Sequence, residues 1–398
     1  MRSLELFSGA GGLALGIARA GFEHLAVVEW DRSACQTLEF NQQIRRIPEI
    51  SHWPVLRKDV RSLDYRAFPE DIELIAGGVP CQPFSIGGKH RGHLDERNMF
   101  PELVRAIRIL KPKAVLVENV RGLARPSFSK YFGYIELMLA YPELSRKASE
   151  SWTDHVSRLE RYHTRGRREG LYYRVVHRVL NAADYGTPQK RERLFMVAIR
   201  ADLGIEWAFP AATHSYEALL FSQFCSGEYW DRHGIRRPKL SDAVLAKIKN
   251  LQDLLLPPPY APWRTVRDAI SDLPAPAKRR DTDEPALTHY VIPGARTYVG
   301  HTGSPLDEPA KTLKAGVHGV PGGENMLAFP NGSVRYFTVR ESARLQTFPD
   351  QYVFPGSWSE SMRQIGNAVP VLVAQTLAQR LGSILERSAG RQNGASPI

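Results

Sequence analysis

From Arg2 to about Arg200 the chain alternates short apolar runs with amphipathic stretches, and no other feature constrains its fold as strongly. Apolar runs bounded by polar loops indicate buried strands, whereas apolar residues three and four positions apart indicate helices. We therefore predict an α/β fold with a doubly wound, mostly parallel sheet. The predicted strands are Leu4–Phe7, Leu25–Trp30, Ile72–Ala76, Ala114–Glu118, Tyr173–Val179 and Leu194–Ile199, and the predicted helices are Gly12–Ala20, Ser33–Asn41 and Met99–Leu110.

The sequence changes character after Arg200. Residues 201 to 335 are rich in Pro, Gly and aromatic residues, and Leu240–Leu255 is their one long helical pattern. Helical patterns return after residue 335, in Thr338–Thr347 and Val369–Glu386. We predict a first domain over 1–200, a smaller irregular domain over 201–335, a return to the first domain over 336–387, and a polar tail over 388–398.

Composition narrows the class of protein. The net charge is +11 and the pI is about 9.6, as expected of a protein that binds nucleic acid, although basic clusters such as Arg158–Arg168 also suit a solvated face. The three cysteines form no C-x-x-C pair, which argues against a disulfide framework and a zinc site. No apolar run approaches the ~20 residues of a membrane span and no signal peptide is evident, so we expect a cytoplasmic protein.

A thiol and a carboxyl group follow two neighbouring predicted strands. Cys81 lies in the turn Pro80-Cys81-Gln82-Pro83, just after an apolar strand, and Glu118-Asn119 end the next strand. Open α/β sheets collect ligands at the carboxyl ends of their strands, so we expect the two groups to converge. Cys81 is therefore a candidate nucleophile and Glu118 a candidate proton donor. Cys35 and Cys225 have no comparable neighbours, and we expect them to be packing residues.

A glycine loop follows the first strand, with the pattern Phe7-x-Gly9-x-Gly11-Gly12. Alone, this loop is equally typical of a dinucleotide site, a phosphate site or a tight turn. Glu29-Trp30 end the next strand, where a carboxylate can bind a ribose diol and an indole can cover a purine. Asp59 adds a carboxylate suited to an adenine amino group.

Together with Gln189-Lys190-Arg191-Glu192-Arg193 and Gly366-Asn367-Ala368-Val369-Pro370, these motifs closely resemble the DNA (cytosine-5) methyltransferase family of the bacterial modification type. The resemblance implies a Rossmann-like, S-adenosylmethionine-dependent fold whose last helix packs back onto the first domain, with residues 201–335 as the target-recognition domain. It implies transfer of a methyl group to C5 of a flipped-out cytosine through a covalent bond between Cys81 and C6. The segment Lys130–Gly170 is longer than in the shorter members of the family.

The resemblance also assigns residues, position by position. The catalytic set is Cys81, Glu118, Asn119, Arg191 and Arg193, in which Arg193 supports the cytosine and Arg191 braces the site or a phosphate; a surface ion-pair strip is the alternative for the two arginines. The predicted cofactor contacts are Phe7, Gly9, Gly11, Leu13, Glu29, Trp30, Asp59, Val60, Pro80, Met99, Asn367 and Val369. The predicted DNA contacts are Ser85, Lys89 and Arg91 on a lid after the nucleophile, and Gln189, Arg236, Arg237 and Arg296.

The leading hypothesis is a sequence-specific DNA cytosine-5 methyltransferase that modifies double-stranded DNA as a monomer. S-adenosylmethionine is its expected cofactor, S-adenosylhomocysteine its product, and no metal is expected. Its possible partner is a restriction endonuclease acting on the same site. One alternative is an RNA cytosine-5 methyltransferase, which the size of the variable segment disfavours. Another is a non-catalytic DNA-binding relative, against which the joint presence of Cys81, Glu118 and Arg193 argues.

Overall fold

The structure is a computed structural model that describes residues 1–80, 98–166, 169–239, 242–252, 257–278, 288–315 and 325–394. The predicted nucleophile Cys81 and the predicted lid residues Ser85, Lys89 and Arg91 lie outside these ranges.

The strands of the described residues are β1 (Arg2–Leu6), β2 (Glu23–Glu29), β3 (Val55–Arg57), β4 (Leu74–Gly78), β5 (Ala114–Val120), β6 (Tyr173–Asn181), β7 (Glu192–Arg200), β8 (His214–Ser215), β9 (Ala261–Pro262), β10 (Ser304–Pro305), β11 (Met326–Ala328) and β12 (Val334–Tyr336). The α-helices are α1 (Gly12–Arg19), α2 (Arg32–Ile44), α3 (Phe100–Leu110), α4 (Ser129–Ala140), α5 (Trp152–Thr164), α6 (Tyr216–Leu220), α7 (Glu228–Arg232), α8 (Asp242–Gln252), α9 (Val266–Ile270), α10 (Val339–Leu345), α11 (Trp358–Asn367) and α12 (Val371–Gly394), with a π-helix at Phe221–Ser226.

A seven-stranded sheet organises the first 200 residues, in the order β3-β2-β1-β4-β5-β7-β6. All neighbouring pairs are parallel except those of β7, which runs antiparallel to both β5 and β6. The predicted α/β fold with a mostly parallel sheet is confirmed. The order reverses between β1 and β4, because β2 and β3 lie on one side of β1 while β4 and β5 lie on the other. Ligands of such sheets bind at this reversal, beyond the carboxyl ends of the strands.

Helices cover both faces of the sheet. On one face α3 and α4 pack over apolar side chains such as Leu6 and Val117, and on the other α1 and α12 pack over Leu116. The edge strand β3 was not predicted, because three residues after Pro54 are too few to show a period. In the segment 130–170, α5 packs against α4, with Tyr134 Oη hydrogen-bonded to His155 Nδ1 at 2.8 Å.

Helix α12 brings the end of the chain back to the glycine loop. A Cβ atom on Gly16 of α1 would lie 2.4 Å from Ala374 Cβ and 2.6 Å from the Val371 carbonyl oxygen, so the two helices touch where glycine leaves room. Helix α12 continues to Gly394, beyond the predicted helical pattern Val369–Glu386 and into the predicted polar tail. Polar residues such as Arg and Gln are good helix formers, so a polar sequence does not end a helix.

Within Trp358–Ser388, which includes most of α12, an 18-residue window has a mean hydropathy of 1.3, so this part of the chain is long and apolar enough to cross a membrane. Within that window 61% is buried inside the protein, as expected for a core helix packed on α1. Residues 201–335 contain two further small sheets, β8-β9 and β10-β11-β12, among short helices. The division into domains stays a prediction.

Candidate active site

Glu118 and Arg193 form a buried ion pair at the carboxyl end of β5. Arg193 Nε lies 3.1 Å from Glu118 Oε1, and the two side chains are 16% and 10% exposed. The sheet register explains the pairing: Glu118 faces Phe195 and Val120 faces Arg193, so the ion pair joins diagonal neighbours on antiparallel strands. The structure thus brings together two of the residues that the sequence predicts as catalytic.

The Glu118 carboxyl group is suited to hold a proton. Burial raises its pKa above the ordinary value of 4.5, and the charges of Arg193 and Arg191 only partly oppose this shift. Oε1 faces the Arg193 guanidinium, while Oε2 lies 3.4 Å from the position that a Cβ atom on Gly78 would take. A glycine at position 78 therefore leaves space beside the oxygen that can donate a proton.

Asn119 connects this carboxyl group to the end of β4. Its Nδ2 donates to the Val79 carbonyl oxygen at 3.0 Å, and its Oδ1 accepts from the Val120 N–H at 2.9 Å. Gly78 also pairs with Glu118 in the sheet register. Asn119 thereby fixes the backbone just before Pro80 and orients the end of β5.

Arg191 braces the site from inside the protein and does not reach the reacting groups. Its side chain is 1% exposed, with Nη1 donating to the Leu313 carbonyl at 3.0 Å and Nη2 donating to Gly366 at 2.7 Å and Ala368 at 3.0 Å. These contacts agree with the expectation that Arg191 braces the site, whereas a guanidinium that is 1% exposed is not accessible to a phosphate. The surface ion-pair strip is also excluded for Arg191, because its guanidinium is buried.

The prediction that Gln189 contacts DNA is wrong. Gln189 is 0% exposed; its Nε2 donates to the Leu345 carbonyl and to Gln346 Oε1, each at 3.2 Å, and its Oε1 accepts from the Leu313 N–H at 2.9 Å. Gln346, which the sequence reasoning missed, extends the network by donating to the Ile365 carbonyl at 2.7 Å. Its only signal was its place near the end of the predicted helix Thr338–Thr347.

The glycine loop, residues 7–12, has an open side. Phe7, Gly9 and Gly11 have φ angles of 57°, 52° and 77°, a left-handed region that favours glycine at the last two positions. A Cβ atom on Gly9 would meet no heavy atom within 4 Å. The Gly9 N–H donates to Glu29 Oε2 at 2.7 Å, so the loop is tied to the end of β2.

Glu29 and Trp30 stand beside this open side, as predicted. Glu29 Oε1 accepts from the backbone N–H groups of Trp30 at 2.9 Å and Asp31 at 2.8 Å, which fixes the orientation of the carboxylate. The Trp30 side chain is 69% exposed, which is unusual for an indole and leaves its ring face free to cover a ligand. A carboxylate whose orientation is fixed by hydrogen bonds and an exposed indole ring are suited to binding a nucleoside.

The other predicted cofactor contacts differ in exposure. Phe7, Pro80 and Met99 are half-buried and Asn367 is exposed, so each offers some surface to a ligand. Asp59 is bound by Arg61 through Nη2 at 2.6 Å, and this hydrogen bond lowers the pKa of the carboxyl group. Three of the predicted contacts, Leu13, Val60 and Val369, are 3%, 5% and 4% exposed, so their side chains offer little surface to a ligand.

The remaining predicted residues are surface cations and thiols. Arg236, Arg237 and Arg296 are exposed, which leaves them accessible to a polyanion. Cys35 is buried and its pKa is raised to about 12 by burial, as expected for a packing residue. Within the described ranges, no group of three or more His, Cys, Asp or Glu side chains is placed to hold a metal ion.

Comparison with known proteins identifies the family. A family model described as C-5 cytosine-specific DNA methylase matches residues 1–140 and 166–383. The chain belongs to this family. It is 32% identical over 392 residues to the Type II methyltransferase M.Eco47II of Escherichia coli, covering 96% of this chain and 79% of that protein. It is 30% identical over 392 residues to M.NgoMIV of Neisseria gonorrhoeae, covering 97% of this chain and 98% of that protein.

Solved structures share the fold. A putative DNA modification methyltransferase of an Escherichia coli prophage is 22% identical, with a TM-score of 0.57 over 97% of this chain and 99% of that chain. The Dnmt2 methyltransferase of S. pombe is 18% identical, with a TM-score of 0.54 over 97% of this chain and 99% of that chain. The predicted family and activity are confirmed: this methyltransferase methylates cytosine at C5 in DNA in a sequence-specific manner. Its family implies S-adenosylmethionine as the methyl donor.

Proposed function

We propose that this methyltransferase activates cytosine with Cys81 as the nucleophile and Glu118 as the proton donor, and that residues 201–335 select the DNA site. One observation carries the proposal: a buried carboxyl group with a raised pKa is paired with Arg193 at the end of β5. Its register partner Gly78 precedes Cys81 by three residues in the sequence.

The chemistry follows from the low nucleophilicity of cytosine C5. Addition of the Cys81 thiolate at C6 pushes an electron pair into the ring, and the Glu118 proton neutralises that charge at N3. C5 becomes nucleophilic and takes the methyl group. Loss of the C5 proton to a base, with water as our candidate, then expels the thiolate, restores the ring and returns the proton from N3 to Glu118.

Arg193 has two tasks in this scheme. Its Nε–H binds Glu118 and holds the carboxyl group in place, and its Nη1 donates to the Glu192 carbonyl at 2.8 Å, while its Nη2 group suits the cytosine carbonyl oxygen O2. Arg191 acts indirectly, because it fixes the backbone around Gly366 and Ala368. Asn119 positions the strand ends.

The residues around the glycine loop fit S-adenosylmethionine. Space beside Gly9, the anchored Glu29 carboxylate and the exposed Trp30 ring are suited to the methionine, ribose and purine parts of this cofactor. When bound, this cofactor supplies a sulfonium methyl group as the electrophile. Phe7, Pro80, Met99 and Asn367 would complete the pocket.

We assign selection of the DNA site to residues 201–335, on whose surface Arg236, Arg237 and Arg296 are exposed. Guanidinium groups bind phosphates or guanine edges, so this surface complements duplex DNA. The relatives named as Type II methyltransferases support a role as the modification partner of a restriction endonuclease. A cytoplasmic monomer acting on the nucleoid is the matching prediction.

Covalent trapping tests the nucleophile. With cofactor and duplex DNA that carries 5-fluorocytosine at the target, the wild-type protein should form a complex stable to denaturing electrophoresis, because fluorine cannot leave as a proton. Cys81→Ala should form none, while the control Cys225→Ala should be trapped like the wild type. Bisulfite sequencing of methylated plasmid identifies the target beforehand. A stable complex with Cys81→Ala would refute the assignment.

A further inference from the structure

Tyr352 lies directly beneath the glycine loop. Its side chain is 0% exposed, and its ring packs between Phe348 and Phe354 at centroid distances of 4.8 Å and 5.0 Å. Its hydroxyl group donates a hydrogen bond to the Ala10 carbonyl oxygen. A residue 342 positions away in the sequence therefore holds the backbone at the centre of the loop.

The bond fixes more than one carbonyl group. The Ala10 carbonyl and the Gly11 N–H belong to one planar peptide unit, so holding one sets the direction of the other. The Gly11 N–H donates to the Ser8 carbonyl oxygen at 2.9 Å. Gly11 has a φ angle of 77°, and because glycine adopts positive and negative φ angles about equally readily, its own torsional preference does little to fix this peptide unit. The Tyr352 hydroxyl thus keeps the tight turn of residues 8–11 closed from the protein side.

The segment that carries Tyr352 is itself anchored to α2. Asn41 Nδ2 donates to the Val353 carbonyl at 2.8 Å, and Asn41 Oδ1 accepts from the Val353 N–H at 2.9 Å. Both bonds are buried, and α2 begins three residues after Glu29. The brace therefore connects the glycine loop and the strand end that carries the predicted ribose ligand.

We infer that Tyr352 is a positioning residue for the methyl donor: it holds the glycine loop in the shape that binds the cofactor without touching the cofactor itself. The inference rests on the proposed assignment of this loop to S-adenosylmethionine. Loss of the hydroxyl leaves a buried carbonyl without its donor, which favours loop conformations in which Ala10 turns towards solvent. Cofactor binding must then restore the turn, and affinity falls.

Tyr352→Phe tests this role, with Tyr173→Phe as the matched control. Tyr173 is also buried and donates to a backbone carbonyl, that of Pro112, at 2.8 Å, but it lies at the start of β6, away from the loop. Calorimetric titration with S-adenosylhomocysteine gives Kd, and steady-state kinetics give KM for each substrate. We expect Tyr352→Phe to raise both the Kd and the cofactor KM about tenfold, with kcat and the KM for DNA within twofold of wild type. A tenfold change corresponds to ~1.4 kcal/mol.

The outcomes separate this inference from the proposed function. Wild-type Kd in Tyr352→Phe, or an equal rise in Tyr173→Phe, overturns the positioning role, because the effect would then be absent or merely one of stability. Failure of the wild-type protein to bind S-adenosylhomocysteine would instead refute the cofactor assignment. If Tyr352→Phe does not fold, Asn41→Ala gives the same readout, since it releases Val353: a raised Kd supports the inference and an unchanged Kd overturns it.

Discussion

Replacement of Glu118 by glutamine tests the proton donor, because it keeps the shape of the side chain and removes the acid. The amide oxygen can still accept the hydrogen bond from Arg193 Nε, whose distance to the carboxyl oxygen is 3.1 Å. The amide cannot deliver a proton to N3 of cytosine. Removal of a general acid typically lowers the rate 10² to 10⁴-fold, which is a barrier of about 2.7 to 5.5 kcal/mol. We expect a loss of kcat in this range with unchanged affinity for S-adenosylhomocysteine.

The matched control is Glu5→Gln. Glu5 is a fully buried carboxyl group on β1 whose pKa is also raised by burial, so Glu5→Gln makes the same chemical change outside the proposed site. Single-turnover methyl transfer at saturating cofactor and DNA measures the chemical step in both variants. Glu5→Gln should retain kcat within about threefold. A Glu118→Gln enzyme as fast as wild type would refute the assignment, because the proton would then come from another group.

The raised pKa of Glu118 also predicts a dependence of stability on pH. A carboxyl group with a raised pKa in the folded state binds its proton more firmly there than in the unfolded chain. Its contribution to the free energy of unfolding is complete below pH 4.5 and is lost as the pH rises through the folded-state pKa. Urea unfolding over a pH series should show the difference between wild type and Glu118→Gln shrinking or reversing in that direction. A constant difference would mean that the pKa is not raised.

Two further predictions concern packing and specificity. Gly16→Ala should lower the free energy of unfolding by about 1 to 3 kcal/mol, because the added Cβ would lie 2.4 Å from Ala374 Cβ. Gly133→Ala in α4, where a Cβ meets nothing within 4 Å, should raise the free energy of unfolding by up to about 1 kcal/mol. Equal effects of the two changes in urea unfolding would contradict the close contact of α1 and α12. Exchange of residues 201–335 for those of a relative with another target should change the methylated sequence in bisulfite data. An active chimera that kept the parental site would place recognition in the first domain.

Local sequence patterns were sufficient to predict the strands and the strand ends that form the site. Each strand of the sheet except β3 contains apolar residues that mark it in the sequence, and the glycine loop, Glu29 and Glu118 lie at the carboxyl ends of three of these strands. The position of these groups at one edge then follows from the parallel sheet alone. The exposure of Trp30, at 69%, agrees with a role that the sequence assigned by its place after β2.

Long-range contacts account for what was missed. Gln189 lies in a polar motif typical of an exposed strip, yet its partners Leu313 and Leu345 are 124 and 156 residues away, and they bury it. The pattern of residues around Gln189 in the sequence does not indicate that distant residues bury it. The same holds for Arg191, whose two Nη atoms donate to three backbone carbonyls from two distant segments. Because these acceptors are backbone carbonyl groups, which every residue has, the residue types of the partners give no sign of the contact.

The buried Arg191 links the segments that we assign to DNA recognition and to cofactor binding, which are separate in the sequence. Leu313 belongs to the segment assigned to DNA recognition, whereas Gly366 belongs to the segment that returns to the cofactor site, and the carbonyl oxygens of both accept hydrogen bonds from Arg191. A Cβ atom on Gly366 would lie 2.5 Å from the Ala315 nitrogen, so the two backbones are in direct contact there. An arginine that is 1% exposed cannot lose one of these acceptors to solvent cheaply. A foreign recognition segment will therefore support methyl transfer only if it supplies the carbonyl group of Leu313 in the same place.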